Sequence, residues 1–282
     1  MNGSSAKVAL VTGASAGIGK AIVRRLLRDG WTVWGAARRT TEMADIAADG
    51  ARTVGMDVTD EASMQAAVAQ ILARHGRIDA LVNNAGYGSY GAIEDVPIAE
   101  ARRQFEVNLF GLARLVQLVL PGMRERRAGT IVNVSSMGGR IWTPVGGWYH
   151  ATKHALEVLS DVLRMEVEPF GVRVVVVQPG RIRSEWSAIA ARTLREASAS
   201  SPYRDRSEPM AKLLEEYADA APPEVVADAV ATALATNRPR RRYAVPAESR
   251  LMIALHWLLP DAAWEKLIST SVGRASAAQA KN

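Results

Sequence analysis

The sequence predicts one α/β domain: a doubly wound parallel sheet with helices on both faces, followed by a lid and a helical C-terminal extension. Two observations carry this. Short apolar runs with little polar alternation recur between Lys7 and Gly180, and a stretch of helical periodicity follows each of them. The first run opens directly into a glycine-rich turn ahead of its helix. Strands that are apolar on both sides need cover on both sides, which is the setting of a parallel sheet. Right-handed crossovers then bring ligands to the carboxyl ends of the strands.

The first strand is read at Lys7 to Val11, closed by Thr12-Gly13. Gly13, Gly17 and Gly19 follow, then Ala21, Ile22, Leu26 and Leu27 at helical spacing, with Gly30 as the stop. Strands are expected at Thr32 to Ala36 and at Thr53 to Met56, the second ending in Asp57-Val58-Thr59-Asp60. Thr59 or Asp60 suits the cap of a helix carrying Met64, Val68, Ile71 and Leu72. A strand from Ala80 to Val82 runs into Asn83-Asn84-Ala85-Gly86. A long helix from about Ala99 to Arg126, a strand from Thr130 to Val134, a helix from Tyr149 to Pro169 and a strand from Val172 to Val176 continue the alternation.

Composition changes after Gly180. Residues 184–221 are polar, with Ser198 to Pro202 interrupting any pattern, so a mobile lid over the substrate is expected there. Pro222-Pro223 starts a helix from Val225 to Ala235, ahead of a strand at Arg242 to Val245 and an apolar extension over 246–282. Residues 1–282 are thus read as a single domain.

Composition excludes several functions. The chain has 282 residues, 48% of them hydrophobic and 23% charged, which is enough to bury a core without staples. It contains no cysteine, so disulfides and thiolate metal sites are ruled out, and a reducing, cytoplasmic setting is expected. A net charge of +6 raises the question of an anionic partner. The arginines are scattered, however, and the one run, Arg238 to Arg242, is broken by Pro239; no nucleic-acid partner is expected. Val8 to Val11 is too short for a secretion signal, and Leu251 to Leu259 too short to span a bilayer, so no stable membrane insertion is expected. Asn2-Gly3-Ser4 has the form of a glycosylation acceptor but carries no weight without such a signal.

A strand, a glycine turn and a helix form a phosphate cradle, because backbone N–H groups and the positive helix N-terminus meet there. The spacing is Gly13-x-x-x-Gly17-x-Gly19, with Ser15 and Ile18 inside it. A tight turn that binds nothing is the alternative. The end of the second strand decides between dinucleotides, since a carboxylate there suits the ribose hydroxyl of NAD and repels a 2′-phosphate. The chain has Gly35-Ala36-Ala37-Arg38-Arg39, with no acid and two guanidiniums suited to phosphate. NADP(H) is favoured over NAD(H), with Arg38 as its phosphate contact.

Tyr149 and Lys153 are four apart, so both lie on one helix face. A phenol titrates near 10 and is a poor proton donor and acceptor at neutral pH unless a nearby ammonium favours its phenolate. Ser136 ends the preceding strand, where its hydroxyl can meet a substrate oxygen. Tyr-x-x-x-Lys alone is weak. Together with the glycine loop, Asn83-Asn84-Ala85-Gly86 and Ser135-Ser136 in this order, it is specific.

From Lys7 to Gly180 the chain resembles the short-chain dehydrogenases/reductases, on Thr12-Gly13-x-x-x-Gly17-Ile18-Gly19, Asp57, Asn83-Asn84-Ala85-Gly86, Asn108, Ser136, Tyr149-His150-Ala151-Thr152-Lys153 and Pro179-Gly180. The resemblance implies a Rossmann-type fold and hydride transfer between the nicotinamide and a carbonyl or alcohol carbon. It implies Tyr149 as general acid/base and Lys153 as the group that lowers the Tyr149 pKa and binds the nicotinamide ribose. It further implies Ser136 as the group that polarises the carbonyl, and Asn108 as holder of a relay water. Ser136 is chosen over Ser135 because thirteen positions to the tyrosine is the family interval. By the same resemblance Asp57 and Val58 adjoin the adenine, and Asn83, Ala85 and Gly86 line the cofactor cleft. The resemblance also implies Pro179, Gly180, Ile182 and Ser184 as cofactor contacts, with the Ser184 hydroxyl, where the family often has Thr, reaching the carboxamide. A fainter likeness of the C-terminal part to 17β-hydroxysteroid and retinol dehydrogenases implies a bulky apolar substrate. Tyr87, Trp142, Trp148 and Trp186 are candidate pocket walls.

His75, His150, His154 and His256 match no metal or triad spacing and are read as packing or solvent residues. The helices from Ala99 and from Tyr149 resemble those that pair subunits in the family, so a homo-oligomer is expected. The rival from another class is a dinucleotide-binding sensor or scaffold with the same fold. Intact Asn108, Ser136, Tyr149 and Lys153 argue against it.

Overall fold

The computed structural model describes residues 6–279; the Asn2-Gly3-Ser4 triplet and residues 280–282 of the extension lie outside them. Seven parallel strands form one sheet in the order β3-β2-β1-β4-β5-β6-β7. In chain order the elements begin with β1 (Val8–Thr12), α1 (Gly17–Arg28), β2 (Thr32–Ala37), α2 (Ala44–Ala48) and β3 (Arg52–Gly55). They continue with α3 (Glu61–His75), β4 (Ala80–Asn83), α4 (Ile98–Phe105), a π-helical segment (Glu106–Phe110), α5 (Gly111–Glu125) and β5 (Gly129–Val134). Then come α6 (Gly147–Val167), β6 (Val172–Pro179), α7 (Glu185–Ser198), α8 (Arg204–Glu215), α9 (Glu224–Ala235), β7 (Arg242–Val245), α10 (Ala247–Leu258) and α11 (Asp261–Gln279).

The order changes direction at β1, which lies between β2 and β4. Loops leaving the carboxyl ends of β1 and β4 therefore part there, and the crevice between them is the natural ligand site.

Strand alternation sorts the core into two layers. Ala9 and Val11 of β1 face α1 and α9 with Ile22, Leu26, Val226 and Val230. Val8 and Leu10 face the other way, onto Val68 and Ile71 of α3 and Leu115 and Val119 of α5. The central strands β1, β4, β5 and β6 are buried on both sides, which is why the sequence shows apolar runs rather than alternation there, while the edge strands β3 and β7 are only partly covered. Helix α3 starts as its sequence predicts: the Asp60 side chain accepts a hydrogen bond from the Ala62 N–H at 3.0 Å.

The helix expected from about Ala99 to Arg126 is continuous but contains the π segment. By length and composition Ile98–Glu125 is apolar enough to cross a membrane. In the fold its apolar side packs on the sheet through Leu112, Leu115 and Met123. Helix α6 leaves Val158, Val162 and Met165 exposed, and Phe110 is exposed at the end of the π segment. These belong to the two helices to which the resemblance assigns subunit contacts.

The polar stretch 184–221 forms α7 and α8. Small and medium residues knit them together, with Ala190, Ala191 and Leu194 of α7 buried against Met210, Ala211 and Leu214 of α8. Trp264 and Ile268 of α11 complete this third cluster above the sheet.

Candidate active site

A cavity of about 1140 Å³ lies at the carboxyl ends of β1, β2, β4, β5 and β6. One half is bordered by Gly13, Ser15, Gly17, Ile18, Gly19, Arg38, Asp57, Val58, Ala85 and Gly86. Ser136, Tyr149, Lys153, Pro179, Gly180, Ile182 and Ser184 follow along its wall. The other half runs under α7, α8 and α10 past Trp186, Met210, Leu214, Tyr217 and Met252.

The glycine loop is built for close approach. Gly13 has φ +67°, and a Cβ there would sit 2.9 Å from Asn84 Nδ2. A Cβ on Gly19 would lie 2.2 Å from the Gly13 carbonyl oxygen, so the turn closes only around a glycine. Ala16 caps α1 without a side-chain acceptor, and the first turn carries no acid. Its N–H groups and the helix dipole therefore face the cavity uncompensated, which fits the pyrophosphate of a dinucleotide.

Two residues hold this cradle that the sequence reading quoted only as motif letters. Thr12 Oγ1 accepts hydrogen bonds from the Asn84 and Ala85 N–H groups at 3.0 and 2.9 Å, and Asn84 Nδ2 donates to the Thr12 carbonyl at 2.9 Å. They stitch the loop after β4 to the loop after β1. The signal was present in Thr12-Gly13 and Asn83-Asn84, but only the fold brings positions 72 apart together.

Arg38 is exposed at the cavity edge and forms no ion pair among the described residues. Arg39 is committed elsewhere: it pairs with Glu185 at 3.0 Å and donates toward Ser15 Oγ at 3.5 Å. Asp57 accepts from the Thr59 N–H and hydroxyl at 2.9 and 2.8 Å. Burial raises the Asp57 pKa, but the two Thr59 donors and the charges of Arg38 and Arg103 outweigh it and hold the carboxyl below its usual range.

Asn83, expected in the cleft, and Asn108, expected to hold a relay water, stand behind the wall. Asn83 is buried, its Nδ2 donating to Asn133 Oδ1 at 3.0 Å inside the sheet. Its side chain does not line the cleft, because the last residue of β4 points into the sheet while Ala85 and Gly86 turn outward. Asn108, in the π segment, is also buried. Its Nδ2 donates to the Tyr87 carbonyl at 2.9 Å and to Thr152 Oγ1 at 3.2 Å, while its Oδ1 accepts from the Tyr87 N–H at 3.0 Å. The side-chain amide is thus spent on holding the 86–87 turn against α6.

Ser136, Tyr149 and Lys153 meet where the two halves of the cavity join. Ser136 Oγ accepts from the Gly138 N–H at 3.0 Å. The adjacent Ser135 Oγ is buried, and a Cβ on Gly139 would press on it at 2.8 Å. The Tyr149 ring is packed between Tyr90 and Trp186, centroids 5.6 and 5.1 Å away. Burial pushes the Tyr149 phenol well above its usual range, and the Ser136 hydroxyl beside it pulls the other way. The sequence reading expected Lys153 to bring that pKa down; in this packing burial prevails. Lys153 Nζ donates to the Val134 carbonyl at 3.1 Å. Burial lowers the Lys153 pKa to about 8, with Glu157 one turn on opposing it.

His150 is structural. Its Nδ1 lies 2.9 Å from the Gly138 carbonyl, and its Nε2 accepts from the Thr143 N–H at 3.1 Å, which assigns a neutral ring protonated on Nδ1. Burial lowers its pKa to about 4. It ties the loop carrying Ser136 to α6. Of the four candidate pocket aromatics, Tyr87 and Trp186 line the cavity. Trp142 instead packs edge-on against His256 at 4.3 Å, and neither it nor Trp148 borders the cavity.

A family model for short chain dehydrogenases matches residues 7–194, the span of the cradle, Ser136, Tyr149 and Lys153. The chain belongs to the short-chain dehydrogenases. It is similar to a probable short-chain type dehydrogenase/reductase, VdlC, of Helicobacter pylori, 34% identical over 269 residues, which span 92% of this chain and 96% of that protein. It is 32% identical over 277 residues to an NADPH-dependent 3-dehydrocapnine reductase of Ornithobacterium rhinotracheale, covering 93% of this chain and 95% of that one. A crystal structure of a short-chain dehydrogenase from Streptomyces avermitilis superposes with a TM-score of 0.80 at 38% identity, over 90% of this chain and 93% of the other. As a short-chain dehydrogenase the protein is an oxidoreductase that acts on CH–OH and C=O groups with a nicotinamide cofactor.

Proposed function

We propose that this short-chain dehydrogenase uses NADP(H) and acts on the ketone or alcohol of a bulky apolar substrate. One observation carries the reading: Tyr149, Ser136 and Lys153 converge where the glycine-lined half of the cavity meets its apolar half. The nicotinamide, when bound, supplies or accepts the hydride. The protein handles binding, orientation and the proton.

Ser136 is placed to donate a hydrogen bond to the substrate oxygen, and Tyr149 to give that oxygen its proton during reduction. A buried phenol is fully protonated at neutral pH, so it stands ready as the acid. The Lys153 ammonium favours the phenolate that results. Asn108 contributes through its backbone, since its amide is occupied; π-helical segments frequently mark functional positions. The apolar half, walled by Trp186, Met210, Leu214 and Met252, excludes water and suits a bulky hydrocarbon body.

The cofactor preference rests on Arg38. It lies at the end of β2 with no acid beside it in sequence and no ion-pair partner among the described residues. Its fork suits a 2′-phosphate. The similarity to an NADPH-dependent reductase points the same way. Titration with NADPH and NADH, followed by energy transfer from the tryptophans, tests this. NADPH should bind the tighter, and Arg38→Ala should weaken NADPH by about tenfold or more, the value of a charge-assisted contact, while NADH changes little. Equal losses for both nucleotides would remove Arg38 from phosphate recognition.

Lys153 sets a pH limb. Its ammonium is intact below pH 8 and is lost as pH rises through about 8. Reductive kcat/KM should therefore be level on the acid side and fall above that pH. Lys153→Arg keeps its charge throughout and should abolish the limb whatever it does to the plateau. A limb that persists in the arginine variant belongs to another group.

A further inference from the structure

Arg181 sits in the wall of the substrate half of the cavity, directly after Pro179-Gly180. Its Nε is buried and has no hydrogen-bond partner. Its terminal nitrogens reach Glu216 and Glu248 only at 3.9 Å each, beyond hydrogen-bond length. The guanidinium lies over the Tyr217 ring, 5.2 Å from its centroid. Two carboxylates and one aromatic face thus hold the group in place while leaving its donors unspent. The buried Nε is closed off from the cavity, so a ligand would meet the partly exposed terminal nitrogens, which no hydrogen bond among the described residues engages. The planar fork matches an oxyanion in two parallel hydrogen bonds. The surrounding wall, with Met210, Leu214 and Met252, is apolar and offers such a ligand a hydrocarbon bed.

We infer that Arg181 anchors an oxyanion on the substrate, so the substrate class is an amphipathic ketone or alcohol bearing an acidic group besides its reacting carbon. The turnover part rests on the proposed reaction; the anchoring part does not. Accordingly the first test is binding alone: laurate, methyl laurate and dodecylammonium are titrated against native protein, Arg181→Met and Arg181→Lys, with tryptophan fluorescence as readout. Laurate should bind native protein at least about tenfold more tightly than its ester, as one charge-assisted pair provides. Arg181→Met should bring that ratio to about one, and Arg181→Lys, which keeps the charge but loses the fork, should fall between. Equal binding of acid and ester by native protein would overturn the anchor, as would preference for dodecylammonium, which would hand the site to Glu216 and Glu248. The native ratio and the lysine variant decide the matter even if Arg181→Met does not fold. The second test is reduction of 10-oxoundecanoate and its methyl ester with NADPH. A higher kcat/KM for the acid, lost in Arg181→Met, extends the anchor to turnover. No reduction of either compound, with laurate still held through Arg181, would sink the proposed ketone chemistry and leave the anchor standing.

Discussion

Tyr149→Phe should lower turnover by about 100- to 10,000-fold, the usual worth of a positioned proton donor, and leave NADPH affinity nearly unchanged. The substitution is clean because of how the ring is held. Tyr90 and Trp186 grip the aromatic face at 5.6 and 5.1 Å, and phenylalanine keeps those contacts. What disappears is the hydroxyl beside Ser136. Since burial keeps that phenol protonated, its loss removes an acid present in the whole population at neutral pH. Steady-state reduction of a bulky ketone, set beside a fluorescence titration with NADPH, separates the two effects. Unchanged turnover would take Tyr149 out of the chemistry. Loss of cofactor affinity alongside activity would mean that the ring, not the hydroxyl, matters. Wild-type turnover in Ser136→Ala would likewise leave the substrate oxygen without its expected second partner.

The sheet was readable because parallel strands are buried on both faces. Val8 to Val11 and Ala80 to Val82 are uninterrupted apolar runs, Val172 to Val176 is broken only by Arg173, and each became a strand with ends displaced by a few residues at most. β6 runs on to Pro179 because its last residues pair with β7, a contact formed 66 positions away between Gln178 and Ala244. The helices of 184–221 were not readable. Their inner faces use alanine, serine and one or two leucines, as at Ala190, Ala191 and Leu194, and Pro209 inside α8 reads as a breaker. Such an element is stabilised by partners such as Trp264 of α11, which periodicity within a short window cannot supply.

Within the site, motif letters located the cradle, Ser136, Tyr149 and Lys153, because chemistry fixes both their type and their spacing. They did not tell where a side chain points. Asn83 and Asn84 are neighbours in one motif, yet one is turned into the sheet toward Asn133 and the other braces the glycine loop. Asn108 was marked as functional, but its amide proved to be occupied by Tyr87 and Thr152. Arg38 and Arg39 are equivalent in sequence. Both border the cavity, but only the fold places Glu185, 146 positions on, beside Arg39 and leaves Arg38 without an ion-pair partner among the described residues.

Gly19→Ala should weaken NADPH binding by about 10- to 100-fold, the range expected when one added methyl group costs about 1–3 kcal/mol in a packed site. The added Cβ would lie 2.2 Å from the Gly13 carbonyl oxygen and 2.6 Å from Asn84 Nδ2. Neither neighbour is the far end of a flexible side chain that could swing aside. The carbonyl is backbone at the carboxyl end of β1, and Asn84 Nδ2 is held by the Thr12 carbonyl. The turn must therefore open, carrying the N–H groups of α1 away from the place where a pyrophosphate would sit. Because Thr12 joins this turn to Ala85, the strain reaches the loop after β4 as well. Circular dichroism and a thermal melt without nucleotide show whether the fold survives, and fluorescence titration then gives the affinity. A folded Gly19→Ala protein that binds NADPH as tightly as the native chain would mean that the dinucleotide does not enter through this loop. Substitution at Gly30 provides contrast, because nothing lies within 4 Å of its Cβ position and only its φ of +81° resists a side chain. Gly30→Ala should lower the melting temperature while leaving NADPH affinity alone, and the difference between the two variants isolates the close approach as the feature that binding requires.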